Sequence, residues 1–407
     1  MRVTTALNTI LALPGASVAA VSFASQGVVV GLRRRGGRLT CPCGFRTRSV
    51  YDRSRRRWRH LDLGGCKLYL EAEIRRLRCR RCERVRTEAV PWARPGARHT
   101  KDLEDLVAWL AQRADKTTVA RLLRISWAAV ASIVSRVVAD SIDQSRLEGL
   151  YRLGVDEVCY RRQRYLTVVA DHDRGGRVVW AKEGRDAATL GAFYDQLGEE
   201  ARARLEAVTL DMGAGYAKAT SAKAPQARQC VDPFHVIKLA NEAIDKTRRW
   251  AWRSYERSPR FARWIKGTRW ALVKDPKDLK PSQREILDLL RRQRSILYRA
   301  YQLKEALRDL YKLKDPTHAE ERLASWLAWA SRCRIPAFVK LSKTIRKHKE
   351  GILAAIELGL SNSKLEGLAS KIRLINHRGY GHHSAAAIIS MIYLCCGGIT
   401  VKLPTRT

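Results

Sequence analysis

The sequence predicts a multidomain α+β chain: a β-rich start, a short helical block, and an α/β core interrupted by an all-α insertion. Three observations carry this reading. Apolar residues alternate over residues 17–34, shift to a helical period between residues 100 and 150, and return to strand-like runs from residue 153. Two cysteine pairs lie in the first β-rich stretch, Cys41 with Cys43 and Cys79 with Cys82. A basic, Trp-rich helical stretch then separates the last strands from a final amphipathic helix.

Charge narrows the partner. The 407 residues carry 78 Lys and Arg against 40 Asp and Glu, a net charge of +38. Such a chain repels itself unless a polyanion neutralises it, and nucleic acid is the natural polyanion. A ribosomal or membrane-surface role fits the charge as well, but the length and 11 Trp imply true cores. No apolar run reaches transmembrane length, so no membrane partner is expected. Residues 1–24 faintly mimic a secretion leader, interrupted by Pro14 and Gly15. The cysteines therefore read as reduced thiols and metal ligands in a cytoplasm, and not as disulfides.

In the first 99 residues, strands are expected at 18–23 and 27–32. The basic run Arg33, Arg34, Arg35 follows. The two cysteine pairs stand about 35 residues apart, as in a zinc ribbon, with four thiolates for a structural Zn²⁺. The first pair is C-x-C, one residue shorter than the usual spacing, and packing of these thiols in a small core is the alternative. Cys66 lies between the pairs on a strand-like stretch and reads as core. The run Arg55, Arg56, Arg57, Trp58, Arg59 reads either as a solvated loop or as a phosphate contact.

Residues 100–150 hold three short helices. The second begins at Thr117 or Thr118 as its N-cap, and the turn at residues 125–127 leads into the third. This resembles a helix-turn-helix, whose second member enters the major groove. Its outward side is expected to carry Ser132, Ser135 and Arg136. An ordinary three-helix bundle is the alternative.

Residues 151–240 form the first part of the core. Strands are expected at 153–160, 165–171, 177–182, 205–210 and 227–231, with helices after the third, fourth and fifth. The order β-β-β-α-β-α-β-α is that of the ribonuclease H-like fold. Asp156 lies within the first strand and Asp211 ends the fourth. In that fold these strands are neighbours, and two close carboxylates call for a cation, Mg²⁺ or Mn²⁺. Residues 241–359 form the helical insertion, with six of the 11 Trp. Aromatics at helical spacing are more often core than base-stacking platforms. Residues 360–407 return to the core. Ser361 or Asn362 caps a helix that places Glu366 one turn inside, followed by Lys371, Arg373 and Arg378, basic groups suited to phosphate. Glu157 is left out of the site because alternation turns it to the opposite face of its strand.

These stretches resemble the bacterial insertion-sequence transposases of the ISL-three family, with a DDE-type catalytic domain. The matching residues are Cys41-Pro-Cys-Gly with Cys79-Arg-Arg-Cys, Gly154-Val-Asp-Glu-Val, Leu210-Asp-Met, Val231-Asp-Pro-Phe-His, Glu366-Gly with Lys371-Ile-Arg, and Gly379-Tyr-Gly. The resemblance implies that Asp156, Asp211 and Glu366 form the catalytic, metal-binding triad for two Mg²⁺ or Mn²⁺ ions. It also implies that Asp232 and His235 support the active site as a D-x-x-H element. It further implies double-stranded DNA as partner, both transposon ends and target, and a homodimer or larger assembly on that DNA. The expected activity is cleavage at terminal inverted repeats to a 3′-OH and joining to target DNA. The rival readings are a non-catalytic DNA-binding regulator, a structure-specific nuclease of the same fold, and an inactive copy.

Overall fold

The computed structural model describes residues 2–254, 258–313, 315–360 and 363–404, without the side chains of residues 363–366. The chain forms two compact units, residues 1–143 with 375–407, and residues 144–374.

The first unit opens with α1 (Val3–Leu11), where the leader-like stretch lies. Leu7 and Leu11 of this helix are buried in the core of the sheet that follows. That sheet is built from β1 (Ala16–Ala24), β2 (Gly27–Arg34), β5 (Asp52–Arg59), β6 (Leu68–Cys79) and β7 (Arg84–Thr87). Its order is β1-β2-β6-β5, with β7 paired to β6. The short strands β3 (Leu39–Thr40) and β4 (Arg46–Thr47) form a separate hairpin around the first cysteine pair.

β6 packs on both its faces in turn. Leu68, Leu70, Ala72 and Ile74 bury the even face in the main core with Trp58 and Trp92. Further along, Leu77 and Cys79 bury the odd face among Leu39, Cys41 and Phe45. The arginine-rich run is strand β5, not a loop. Its outward residues pair with β6, Arg53 with Glu73 and both Arg55 and Arg57 with Glu71. Cys66 is exposed in the turn before β6 and not in the core.

Helices α2 (Lys101–Ala111), α3 (Lys116–Leu123) and α4 (Trp127–Ser141) follow. α3 and α4 meet at 103°, within the range of a helix-turn-helix. The cap of α3 is Asp115 and not a threonine: its Oδ1 accepts from Thr117 N and Thr118 N, both at 2.9 Å. Arg124 turns the chain between the helices with φ +54°.

The second unit holds β8 (Arg152–Arg161), β9 (Arg164–Asp171), β10 (Arg177–Glu183), α5 (Ala187–Leu197), α6 (Glu199–Ala203), β11 (Ala207–Leu210), α7 (Ala214–Lys223) and β12 (Arg228–Val231). The sheet order is β10-β9-β8-β11-β12. The first three strands are antiparallel, while β11 lies parallel to β8 and to β12. This is the ribonuclease H-like arrangement. Val155 and Val169 bury one face of the sheet against Phe193 and Tyr194 of α5 and Tyr216 of α7.

α8 (Pro233–Ser254) leads into a helical array: α9 (Pro259–Gly267), α10 (Arg269–Val273), α11 (Pro281–Arg292), α12 (Ile296–Asp309), α13 (Pro316–Arg332) and α14 (Pro336–Lys347). Its core runs from Val236 and Ile244 of α8 to Phe338 and Ile345 of α14. Of the six tryptophans there, Trp252, Trp264 and Trp326 pack in this core, while Trp250, Trp270 and Trp329 are exposed. α15 (Lys349–Glu357) returns to the sheet and packs on β12, with Ala354 and Ala355 against Ala207 and Cys230. α16 (Ser363–Arg378) and α17 (Ala385–Cys396) end the fold. Among the described residues no single helix is long and apolar enough to cross a membrane.

Candidate active site and nucleic-acid interface

The parallel register builds the site. β11 pairs with β8 through Thr209 and Gly154, and with β12 through Leu210 and Val231. Two residues beyond the first pair, Asp211 comes level with Asp156. One residue beyond the second, it comes level with Asp232. Three neighbouring strands thus carry a carboxylate at one level of the sheet.

Each carboxylate is oriented locally. Asp156 Oδ1 accepts from Glu157 N at 2.8 Å. Burial pushes the Asp156 carboxyl up to about 6, with Asp232 raising it and His235 and Arg373 opposing. Those neighbours lie on the face of β8 away from α5 and α7. Glu157 pairs in register with Thr167, whose hydroxyl meets Tyr216 of α7 at 2.8 Å, so Glu157 faces the other way. Asp211 Oδ1 accepts from Gly213 N at 2.8 Å, which opens α7. Asp232 is buried; its Oδ1 accepts from Phe234 N at 3.2 Å, and its Oδ2 lies 3.9 Å from His235 Nε2.

Tyr311 comes to this site from the insertion. Its hydroxyl is buried with no hydrogen-bond partner among the described residues. Burial, with the Asp232 charge added, raises its pKa well above the usual tyrosine value. Nothing in the local sequence signals this, since the approach depends on how the helices fold back. A cavity of about 600 Å³ opens beside Asp211, lined also by Lys347, His348 and Glu350. Glu366 belongs to α16, but its side chain lies outside the described residues, as does the expected cap at Ser361 or Asn362.

The four cysteines do meet. The Sγ atoms of Cys41, Cys43, Cys79 and Cys82 all lie within 4.8 Å of one another. Cys43 and Cys79 are 3.6 Å apart. Four sulfurs at ~2.3 Å from one Zn²⁺ would be about 3.8 Å apart, so the cluster supports a structural zinc despite its C-x-C pair. Among the described residues, it is the one group of three or more such ligands this compact. The three aspartates do not form a group this compact.

The basic residues divide. Arg33, Arg35 and Arg55 are exposed, and Arg373 places its charge near Asp156. Others are turned to structural partners. Arg34 and Arg75 both meet buried Glu88. Arg56 donates to Ala97 O at 2.9 Å. Arg59 is buried against Asp62. The outward placement expected of Arg136 does not hold: with Arg94, it flanks Glu104, whose side chain is 0 % exposed. Arg378 caps α2, donating to Gln112 O at 2.9 Å and Ala111 O at 3.2 Å. Ser132 and Ser135 are exposed, but α17 packs beside them on α4, with Ser390 Oγ 3.3 Å from Ser135 Oγ. Lys371 is exposed.

A ribonuclease H-like sheet with carboxylates aligned on neighbouring strands, carried with a four-cysteine ribbon and a helix-turn-helix, defines an enzyme of the DDE class that works on DNA. The similarities are more specific. A family model described as a transposase matches residues 153–392. A helix-turn-helix domain of transposase family ISL3 matches residues 88–138, and a zinc-finger of transposase IS204/IS1001/IS1096/IS1165 matches residues 38–82. The chain is 42% identical to the transposase for insertion sequence element IS1557 of Mycobacterium tuberculosis, over 92% of this chain and 88% of that protein. It is 30% identical to the transposase for insertion sequence element IS1001 of Bordetella parapertussis, over 84% of each. The chain belongs to the ISL3 family of insertion-sequence transposases.

Proposed function

We propose that this transposase binds the terminal inverted repeats of its element, hydrolyses the ends to expose 3′-OH groups, and joins them to target DNA by strand transfer. The observation that carries the reading is the alignment of Asp156 and Asp211 on neighbouring parallel strands. In it, Asp156, Asp211 and Glu366 hold two Mg²⁺ or Mn²⁺ ions. Bound there, such ions activate the attacking oxygen and stabilise the leaving one. The chain's own groups do the positioning. The Glu157 and Gly213 amides fix the Asp156 and Asp211 carboxylates. Arg373 supplies positive charge beside Asp156, where a scissile phosphate lies, and the His235 ring stands next to it. Lys347 and His348 line the cavity next to Asp211 and suit a flanking phosphate.

In the same reading, residues 1–99 and 100–150 recognise the ends, 151–240 and 360–407 supply the carboxylates, and 241–359 is the insertion. Of the expected DNA contacts, Arg33, Arg35, Arg55, Ser132, Lys371 and Arg373 keep the exposure that role needs. Two ends must be joined together, so a dimer or larger assembly forms on DNA.

The test uses duplexes from the element's own ends with Mg²⁺. Wild type nicks and joins them; Asp156→Ala binds them but does neither. Nicking or joining by the Asp156→Ala protein would overturn the reading. Cleavage of branched DNA without end preference or joining would mark a structure-specific nuclease instead.

A further inference from the structure

The turn after α16 holds an exposed aromatic in a built position. Gly379 N donates to Ile375 O at 3.0 Å, Tyr380 N to His377 O at 2.9 Å, and Gly381 N to Asn376 O at 2.9 Å. Tyr380 sits at φ +50°. That left-handed region is unfavourable for a side chain with a Cβ. The turn has little freedom to relax. His382 is buried, with Nδ1 3.2 Å from Asn376 Oδ1. A Cβ on Gly379 would come 2.8 Å from His382 Cε1, so only glycine lets the imidazole close there.

Tyr380 is nevertheless 90% exposed, the most exposed large apolar or aromatic side chain described. The turn adjoins the start of the helix-turn-helix. His383 meets Trp127, the first residue of α4, edge-on at 5.5 Å. Lys116 lies over the same indole at 4.8 Å, and Trp127 is itself 41% exposed. Arg121 and His377 are exposed in the same unit. The nearby carboxylate of Asp115 is committed to capping α3. A fixed, strained, unpacked aromatic, three residues before the His383 that meets Trp127, itself under Lys116, suits a polyanion with stackable faces.

We propose that Tyr380 stacks on DNA, against a terminal or unstacked base or a sugar of the DNA held by the helix-turn-helix unit, with Trp127 and Lys116 on the same contact. The proposal rests on the reading that this unit binds the transposon ends.

The full chain is titrated against a labelled duplex from the element's own terminus. Tyr380→Ala is expected to weaken binding about 5- to 100-fold, as for loss of one base–aromatic stack, while Tyr380→Phe and Tyr380→Trp stay within about 3-fold of wild type. Tyr380→Gly relaxes the backbone, so it melts no lower than wild type yet binds as weakly as Tyr380→Ala. The salt slope of Tyr380→Ala stays that of wild type, whereas Lys116→Ala lowers it by about 1. Unchanged binding by Tyr380→Ala overturns the proposal. So does unchanged binding with altered self-association, which would assign the turn to a second copy. Failure of wild type itself to bind the duplex would instead overturn the broader reading, and this one with it.

Discussion

Gly213 leaves room for Asp211. A Cβ at position 213 would stand 2.7 Å from Asp211 Oδ1, the oxygen that accepts the Gly213 amide. The backbone there has φ −72°, open to any residue, so the glycine serves the carboxylate and not the turn. Gly213→Ala is expected to push the carboxylate aside. End nicking with Mg²⁺ should fall on the order of 10²-fold, as for a misplacement of about 1 Å, with the melting temperature nearly unchanged. Parallel nicking assays and melts check this.

The zinc ribbon is expected to hold one Zn²⁺ per chain, measurable by elemental analysis. Cys43→Ser or Cys79→Ser should abolish it, and a strong chelator should loosen the first unit, seen as lost amide protection in β3, β4 and β6. Asp156→Ala should keep its zinc, which separates this site from the aspartates of the sheet.

In the insertion, Lys304 is fully buried and ends α10. Its Nζ donates to Leu272 O at 2.7 Å and Lys274 O at 3.2 Å, beside Glu305 at 2.5 Å. Lys304→Met keeps the length but takes the donor from these carbonyls and leaves Glu305 to Arg308 alone. The cost should be roughly 2–4 kcal/mol, read from denaturant unfolding of the insertion.

Acid should weaken the first unit. Burial is the largest cause holding His60, His99 and His382 below the ordinary value of 6.5, and His99 and His382 fall to about 4. Arg136, Arg59 and Arg98 add to this at His99, and Lys116 and His383 at His382. The folded unit keeps these rings neutral while the unfolded chain takes up protons. Their contribution is therefore whole above about pH 6.5 and is lost as pH falls toward 4. Melts between these values, with and without His99→Gln, should show the loss shrink in the variant.

Much of this architecture was legible in the residues. The β8-to-β12 order, and with it the places of Asp156 within a strand and Asp211 at the end of its neighbour, followed from alternation and the run of strands and helices. The four-cysteine cluster followed from spacing, even with one pair a residue short. What stayed hidden depends on partners distant in sequence. Strand β5 shows no alternation, because its outer arginines balance Glu71 and Glu73 while Trp58 and Arg59 are buried. Arg34, Arg136 and Arg378 looked free because Glu88, Glu104 and the end of α2 are 54, 32 and 266 residues away. Tyr311 carried no signal for a similar reason. The side chain of Glu366 lies outside the described residues.

The shared use of β6 has a consequence for how this chain can be rebuilt. The matched zinc-finger region, residues 38–82, contains β5 and β6, two strands of the unit's main sheet. Cys79 and Leu70 are parts of one continuous strand that belongs to both hydrophobic clusters. The ribbon is therefore not a detachable cassette. A graft that replaced it would have to carry the sheet with it.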